Sequence, residues 1–238
     1  MSAAARDARP FLVCVEGNIG AGKSTLLAAL QRESAGFARV VPEPMERWSS
    51  PWSPGTSNMS PLAEFYDAPV RNALGFQVFV VASYARAMRS AIAAAATARP
   101  APRVLFLERD PFNVGVFTRL GLQRGDLSEF DGFCVTECAE SLRDACIGDG
   151  ARPDGVIYLR ADDDTCMRRI ATRGRACERG ITADRVSAIG RLYDEAYLRD
   201  DGGAVRDDGR TLVLDGARPT AELAAECLAF ARLIEGMI

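Results

Sequence analysis

Gly17-Asn18-Ile19-Gly20-Ala21-Gly22-Lys23-Ser24-Thr25 is the stretch on which the reading of this chain turns. Directly before it, Phe11-Leu-Val-Cys-Val-Glu16 is a continuous apolar run, suited to a parallel strand buried on both faces. Directly after it, Lys23 to Glu33 has helical spacing, with Leu26, Leu27 and Leu30 on one face. Strand, glycine-rich turn and helix in that order supply the context that the G-x-x-x-x-G-K-[ST] pattern requires. Its glycines let backbone N–H groups wrap a chain of phosphates, and the helix N-terminus adds favourable potential. Lys23 would reach the β and γ phosphates, and Ser24 would ligate Mg²⁺. The competing reading is a chance glycine-rich turn. Composition weighs against it, because Lys23 is the sole lysine among 29 basic residues. A compact ammonium suits a phosphate cradle, where a guanidinium fork is bulkier.

Working outward, four more short apolar runs read as strands: Arg39 to Pro42, Arg103 to Glu108, Gly155 to Leu159 and Thr211 to Asp215. Between them the spacing predicts helices over Glu64 to Thr97 (interrupted near Pro69), Pro111 to Leu120, Leu127 to Ile147, Asp162 to Arg173, Ala183 to Asp200 and Pro219 to Gly236. Residues 49 to 61 read as a surface loop. Residues 1 to 10 read as a frayed tail, leaving residues 11–238 as a single domain. Five strands alternating with helices give an α/β fold, a five-stranded parallel sheet flanked by helices. Ligands on such sheets bind at the carboxyl ends of the strands. Glu16, Glu43, Glu108 and Asp215 all fall at those ends.

The bulk numbers exclude several chemistries. The 238 residues carry a net charge of −3 with both signs mixed, so no basic surface for nucleic acid stands out. There is no histidine, which removes Ser-His-Asp triads and histidine-ligated zinc. Seven scattered cysteines without a C-x-x-C pair read as reduced thiols. No run of about 18 uncharged apolar residues is present, so no membrane span is expected. The expected compartment is the cytoplasm, with the nucleus and mitochondrion as the other reducing locations.

Three further clusters carry chemistry. Pro42-Glu43-Pro-Met-Glu46-Arg-Trp48 puts a carboxylate just past the second strand, stiffened by prolines. A hydroxyl nucleophile needs such a carboxylate to accept its proton. Glu43 suits the role better than Glu46, and the bland alternative is a solvated loop glutamate. Glu108-Arg109-Asp110 closes the third strand. There Glu108 would serve the metal and Arg109 the transferring phosphoryl group, unless the pair is only a strand-end ion pair. Arg168-Arg169-Ile-Ala-Thr-Arg173-Gly-Arg175 places Arg169 and Arg173 on one helix face before a glycine bend. Such a cluster can clamp triphosphate oxygens, or can be an ordinary solvated face.

In that order, Glu16-Gly-Asn-Ile-Gly-Ala-Gly-Lys-Ser-Thr25, Pro42-Glu-Pro-Met-Glu-Arg-Trp48, Glu108-Arg109 and Arg169-x-x-x-Arg173-Gly-Arg175-x-x-Glu178 resemble the deoxynucleoside kinase family. That family includes deoxycytidine and mitochondrial-type thymidine kinases and, more distantly, herpesvirus thymidine kinases. The resemblance implies a P-loop kinase fold with an Arg-rich lid over about residues 169–181. It implies ATP with Mg²⁺, a deoxynucleoside acceptor, a homodimer, and no nucleic-acid or membrane partner. It gives Glu43 the 5′-hydroxyl proton, with Arg109 restraining that glutamate. Tyr66 and Glu178 hold the sugar 3′-hydroxyl, and Gln77 reads the base. Trp48 and Phe76 wall the pocket, Arg169, Arg173 and Arg175 form the lid, and Asp215 lies near the donor adenine. Around the base, Tyr84, Val80 and Val114 form an apolar wall that leaves room for a thymine methyl, which favours thymidine.

The chain departs from the family pattern at Asp110, where a serine is usual, and at Cys177, where a second lid acid often sits. The base-stacking aromatic is expected at Thr118, so either the register slips by one or Phe117 acts differently. Two other readings share the phosphate loop: a nucleoside monophosphate kinase, such as thymidylate kinase, and a P-loop protein that holds nucleotide without transferring phosphate. The carboxylate of Pro42-Glu43-Pro44 argues against both.

Overall fold

Side chains along the first strand alternate between two helical layers and set the architecture. Leu12 and Cys14 face one layer of helices, Val13 and Val15 face the other, and all four are excluded from solvent. The computed structural model describes residues 9–52, 59–175, 178–198 and 209–237. The elements in chain order are β1 (Phe11–Glu16), α1 (Lys23–Glu33), β2 (Ala38–Val41), α2 (Met45–Ser49), α3 (Pro61–Asp67), α4 (Pro69–Thr97), β3 (Val104–Glu108), α5 (Gly115–Arg124), α6 (Glu129–Ile147), β4 (Gly155–Arg160), α7 (Asp163–Arg173), α8 (Ala183–Tyr197), β5 (Thr211–Asp215) and α9 (Thr220–Gly236).

The five strands form one all-parallel sheet in the order β2-β3-β1-β4-β5. The chain steps outward from β1 to β2 and returns through β3 before crossing to β4. The carboxyl ends of β1 and β3 therefore flank the point where the direction of winding reverses, and a crevice opens there. On one face, Leu26, Leu27 and Leu30 of α1 and the apolar stripe of α9 pack on Val13, Val15, Phe106 and Ile157. On the other, Val81, Ala85 and Met88 of α4 and Ala139 of α6 pack on Leu12, Cys14, Leu105 and Leu107.

Local chemistry fixes the ends of the elements. Ser60 caps α3 through the Ala63 N–H, with Pro61 in the first turn. Ser128 and Asp131 form a reciprocal capping box at α6. Asp162 caps α7 through the Thr165 N–H.

The structure revises several expectations. The interruption expected near Pro69 is present, α3 and α4 being separated at Ala68, but α3 starts at Pro61 and not at Glu64. The helix expected from Pro111 begins only at Gly115. Its first residues form a turn instead, in which Asp110 accepts the Phe112 N–H with its side chain and the Asn113 N–H with its carbonyl. The expected tail also ends sooner. Arg9 donates to the buried Asp154 carboxylate at 2.9 Å, which ties the chain down before β1 begins. Residues 1–8, Cys177 and the last residues expected in the 183–200 helix lie outside the described residues. By length and a mean hydropathy of 1.2, α4 could cross a membrane, but here it packs against α6 and the sheet.

Gly17 follows β1 at φ 146°, where a Cβ would lie 2.4 Å from the Leu159 carbonyl oxygen. Backbone strain there costs about 1–3 kcal/mol for a residue with a side chain, before that overlap is counted. Gly17→Ala is expected to lower the thermal midpoint by at least about 5 °C in a melting experiment. An unchanged midpoint would mean that β1 and β4 can separate to admit a methyl group.

Candidate active site

The loop from Gly17 to Gly22 bends through left-handed backbone at Gly20 (φ 81°) and Gly22 (φ 107°), and α1 starts at Lys23. The Lys23 ammonium donates to the carbonyls of Gly17 (3.0 Å) and Asn18 (2.9 Å), which folds the loop onto its own charge. Burial and the neighbouring Arg109 pull the Lys23 pKa down to about 8, against the pull of Glu43, Glu108 and Glu16. Ser24 Oγ donates to Glu108 Oε1 at 2.6 Å, so a hydroxyl and a carboxylate converge beside the cradle. Both are hard oxygen donors of the kind that suits Mg²⁺.

Arg109 sits at the carboxyl end of β3 with φ 69°, an unusual backbone for a residue with a side chain. Its N–H donates to the Val15 carbonyl at 3.0 Å, which locks it to β1. The guanidinium then donates to Glu43 Oε1 (2.7 Å), to the Gly17 carbonyl (2.9 Å) and to the Tyr193 hydroxyl. It also lies over the Phe117 ring at 5.1 Å. Glu16 completes the network, accepting from the Tyr193 hydroxyl (3.1 Å) and the Asp110 N–H (2.7 Å). One buried cation therefore fixes the loop, the carboxylate after β2 and the end of β1.

Burial alone would push the Glu43 carboxyl up. The charges of Arg109 and Lys23, with hydrogen bonds from Tyr84 and Arg109, more than offset that and hold it below the usual carboxylate range. Glu43 is thus ionised at neutral pH and able to accept a proton. Tyr84 corrects the expected apolar wall. Its hydroxyl donates to Glu43 Oε1 at 2.9 Å, with the Glu108 carbonyl at 3.1 Å. It is a support of the carboxylate as well as a wall, and only its ring remains apolar. Helical spacing could place Tyr84 near Val80 but could not say where its hydroxyl points.

These groups open into a cavity of about 880 Å³, lined at one end by the glycine-rich loop and the α7 arginines and at the other by aromatic residues. Trp48, Tyr66, Phe76, Gln77, Val80, Tyr84, Val114, Phe117 and Glu178 all line it, as do Ile19 to Thr25, Arg169, Arg173 and Arg175. Trp48 is anchored by its indole N–H on Ser83 Oγ (2.8 Å) and meets Phe76 and Tyr84 edge-on. Phe76 stacks on Phe65 at 4.8 Å, so it belongs to a core cluster and to the cavity wall at once. Among the described residues the Gln77 amide makes no hydrogen bond, although the residue is buried at the cavity. That amide is open to the cavity, where it can both donate and accept. Phe117 lines the cavity, whereas the Thr118 methyl lies towards α6 at Gly132.

Other expected residues sit differently. Asp215 does not line the cavity: it is exposed, and its carboxylate accepts the Ala217 N–H to shape the turn whose Gly216, Ala217 and Arg218 do line it. Asn18 is buried away from the cavity, bonded to the Val186 carbonyl at 2.8 Å, and Gly17 contributes its carbonyl rather than a surface. Arg169 donates to the carbonyls of Ala21 and Gly216, which braces the loop. Arg173 and Arg175 both reach Glu178, at 2.7 Å and 3.4 Å. Sequence reasoning missed Tyr193 and Arg185. An aromatic and an arginine on an amphipathic helix give no signal by themselves, because only the docking of α8 brings them to the site.

Residues 13–220 match the family model described as deoxynucleoside kinase. Deoxycytidine kinase of Mus musculus is 30% identical over 187 residues, spanning 74% of this chain and 71% of the relative. Deoxycytidine kinase of Homo sapiens is 30% identical over 198 residues, 79% of this chain and 75% of the relative. Thymidine kinase of Ictalurid herpesvirus 1 is 29% identical over 201 residues, 79% and 74%.

The Tyr84 hydroxyl lowers the Glu43 pKa, so its removal must raise it. For Tyr84→Phe, the acid limb of the pH–rate profile is expected to move to higher pH, with turnover at neutral pH reduced several-fold. An acid limb that stays where it is would show that the hydroxyl does not act on Glu43.

Proposed function

The chain belongs to the deoxynucleoside kinase family, and on that premise we propose that it transfers the γ-phosphate of ATP to the 5′-hydroxyl of a deoxynucleoside, with thymidine preferred over other pyrimidine deoxynucleosides. The observation that carries this reading is that Glu43 and the phosphate loop ending at Lys23 line one cavity, with a Gln77 amide that has no hydrogen-bond partner among the described residues in the same wall.

In this reading the phosphates lie on the N–H groups of residues 17–25, with Lys23 turning from the loop carbonyls to the β and γ oxygens. Ser24 and Glu108 would hold Mg²⁺, whose chemistry is to neutralise charge on those oxygens. The acceptor enters between Trp48, Phe76 and Phe117, with Gln77 pairing to the base and Tyr66 and Glu178 to the sugar 3′-hydroxyl. Glu43 accepts the 5′-hydroxyl proton. That oxygen forms a bond to the γ phosphorus, and the bond to the bridging oxygen breaks with its electron pair leaving on ADP. Arg109 holds Glu43 ionised and offers its remaining edge to the moving phosphoryl group. Arg169, Arg173 and Arg175 close over the donor and exclude water.

The thymidine preference rests on Val80, Val114 and the Tyr84 ring. The hydroxyl of that ring is engaged elsewhere, so the wall offers a methyl group contact and no free donor. Deoxycytidine is the competing acceptor, because the mouse and human relatives bear its name. A homodimer belongs to the same reading, and the exposed Phe130 and Phe133 of α6 supply an apolar face for a second copy.

Glu43→Gln is expected to lower turnover by about 10²-fold or more while ATP still binds, because the amide cannot accept the proton. Turnover near the parent value would remove Glu43 from the mechanism. In ADP-release assays with a panel of deoxynucleosides, thymidine is expected to give the highest kcat/KM. A higher value for deoxycytidine would reverse the preference and leave the reaction class intact. Gln77→Ala is expected to raise KM for the nucleoside by about tenfold or more without changing KM for ATP. Equal effects on both substrates would count against base reading by Gln77.

A further inference from the structure

Arg185 lies in the first turn of α8, its backbone N–H donating to Thr182 Oγ1 at 3.2 Å. The residue is 8% exposed and lines the cavity. Its guanidinium lies over the rings of Tyr66 (5.4 Å) and Phe65 (5.5 Å). Among the described residues that guanidinium donates no hydrogen bond and has no carboxylate within ion-pair distance, and its Nε is wholly buried without a partner. Asp126, an acid whose charge reaches it, is instead engaged by Arg124 at 3.4 Å. By contrast, Arg109 ends on Glu43 and the Gly17 carbonyl, and Arg169 on two carbonyls.

A buried guanidinium is a costly group to leave without acceptors. Ring faces attract its charge but do not accept the N–H groups at its edge. The structure therefore holds an arginine fork at the cavity wall whose donors meet no acceptor among the described residues. Burial also lowers its pKa from the ordinary arginine value, in keeping with a charge that lacks compensation. Its neighbour Tyr66 identifies which part of the ligand arrives there.

We propose that Arg185 is a specificity-determining residue that reads the 3′ position of the acceptor sugar, favouring a neutral or anionic oxygen there and rejecting a cationic group. This rests on the assignment of Tyr66 to the 3′ end of the nucleoside given above. It extends that assignment in charge: Tyr66 and Glu178 alone would favour a donor at the 3′ carbon, and Arg185 selects for an acceptor. It also opens the pocket to a deoxynucleoside 3′-monophosphate, phosphorylated at its 5′ oxygen by the same in-line transfer from ATP to leave ADP.

The test uses the full chain with ATP and four forms of the best-accepted base: the 2′-deoxynucleoside, its 2′,3′-dideoxy form, its 3′-amino form and its 3′-monophosphate. Arg185→Met keeps the aliphatic packing and removes the fork, and Arg185→Lys keeps the charge. For Arg185→Met, KM for the 3′-hydroxyl form is expected to rise about tenfold, with kcat within about twofold and KM for ATP unchanged. The dideoxy form should be almost unaffected, the 3′-monophosphate should lose its activity, and the 3′-amino form should gain about tenfold relative to the 3′-hydroxyl form. Arg185→Lys should keep the bias against the 3′-amino form, and this remains readable if the methionine variant fails to fold. Equal changes across all four acceptors, or a lysine variant without that bias, would overturn the assignment of Arg185 and leave the kinase reading standing. A parent enzyme that phosphorylates no deoxynucleoside would overturn both.

Discussion

The buried guanidinium of Arg109 is the interaction on which the rest of the site depends. It joins the end of β3 to the carboxylate after β2, to the Gly17 carbonyl and to Tyr193 of α8. Burial works against its charge, and Tyr193, Glu43 and Glu16 more than compensate, so it stays protonated under all ordinary conditions. A cation of this kind cannot be removed piecemeal. Loss of it would leave Glu43 and Glu16 with Lys23 as their remaining counter-charge, and breaking one buried ion pair costs about 3–5 kcal/mol. The same contacts that hold the elements together thus set the protonation state that phosphoryl transfer requires.

Geometry and electrostatics are coupled through the sheet. Parallel strands bring all their carboxyl ends to one edge, and the reversal of winding between β1 and β3 leaves that edge open where Glu16 and Arg109 stand. The strain at Arg109 is held by its N–H bond to Val15. Rigid elements therefore carry the reacting groups, while the acceptor end is built from α3, α4, α5 and the start of α8. Tyr84 joins the two, since it lines the cavity from α4 and donates to Glu43.

Charge is distributed unevenly along the cavity. Around the phosphate loop and its lid the polar groups are already paired: Ser24 with Glu108, Arg173 and Arg175 with Glu178, Arg109 with Glu43. At the acceptor end, the Gln77 amide and the Arg185 guanidinium have no hydrogen-bond partner among the described residues. An empty amide and an empty guanidinium in one apolar chamber describe a ligand with a hydrogen-bonding edge and an electron-rich substituent, which is what a nucleoside offers.

How much of this was legible beforehand depended on the range of the interaction. Strand β1, helix α1 and the glycine bends between them follow from residues within about twenty positions, because apolar runs, helical spacing and left-handed glycines are local properties. Glu43 and Arg109 could be placed at one edge of the sheet for the same reason: each follows the end of a strand, and parallel strands end together. The delayed start of α5 was missed because Asp110 captures the backbone of Phe112 and Asn113, a competition that helical periodicity does not register. Arg9 looked like part of a tail because its partner, Asp154, lies 145 residues away. Tyr84 shows the limit most clearly. Its position on α4 could be counted, but the direction of its hydroxyl depends on how α4 lies across the ends of β2 and β3. The chain alone indicated the fold class and the phosphate loop through local strand, turn and helix signals, although the sheet itself pairs residues as distant as Phe11 and Val104. Only the tertiary structure decided which side chains support Glu43 and which stand empty, since a hydrogen bond is fixed by contacts that chain order does not encode.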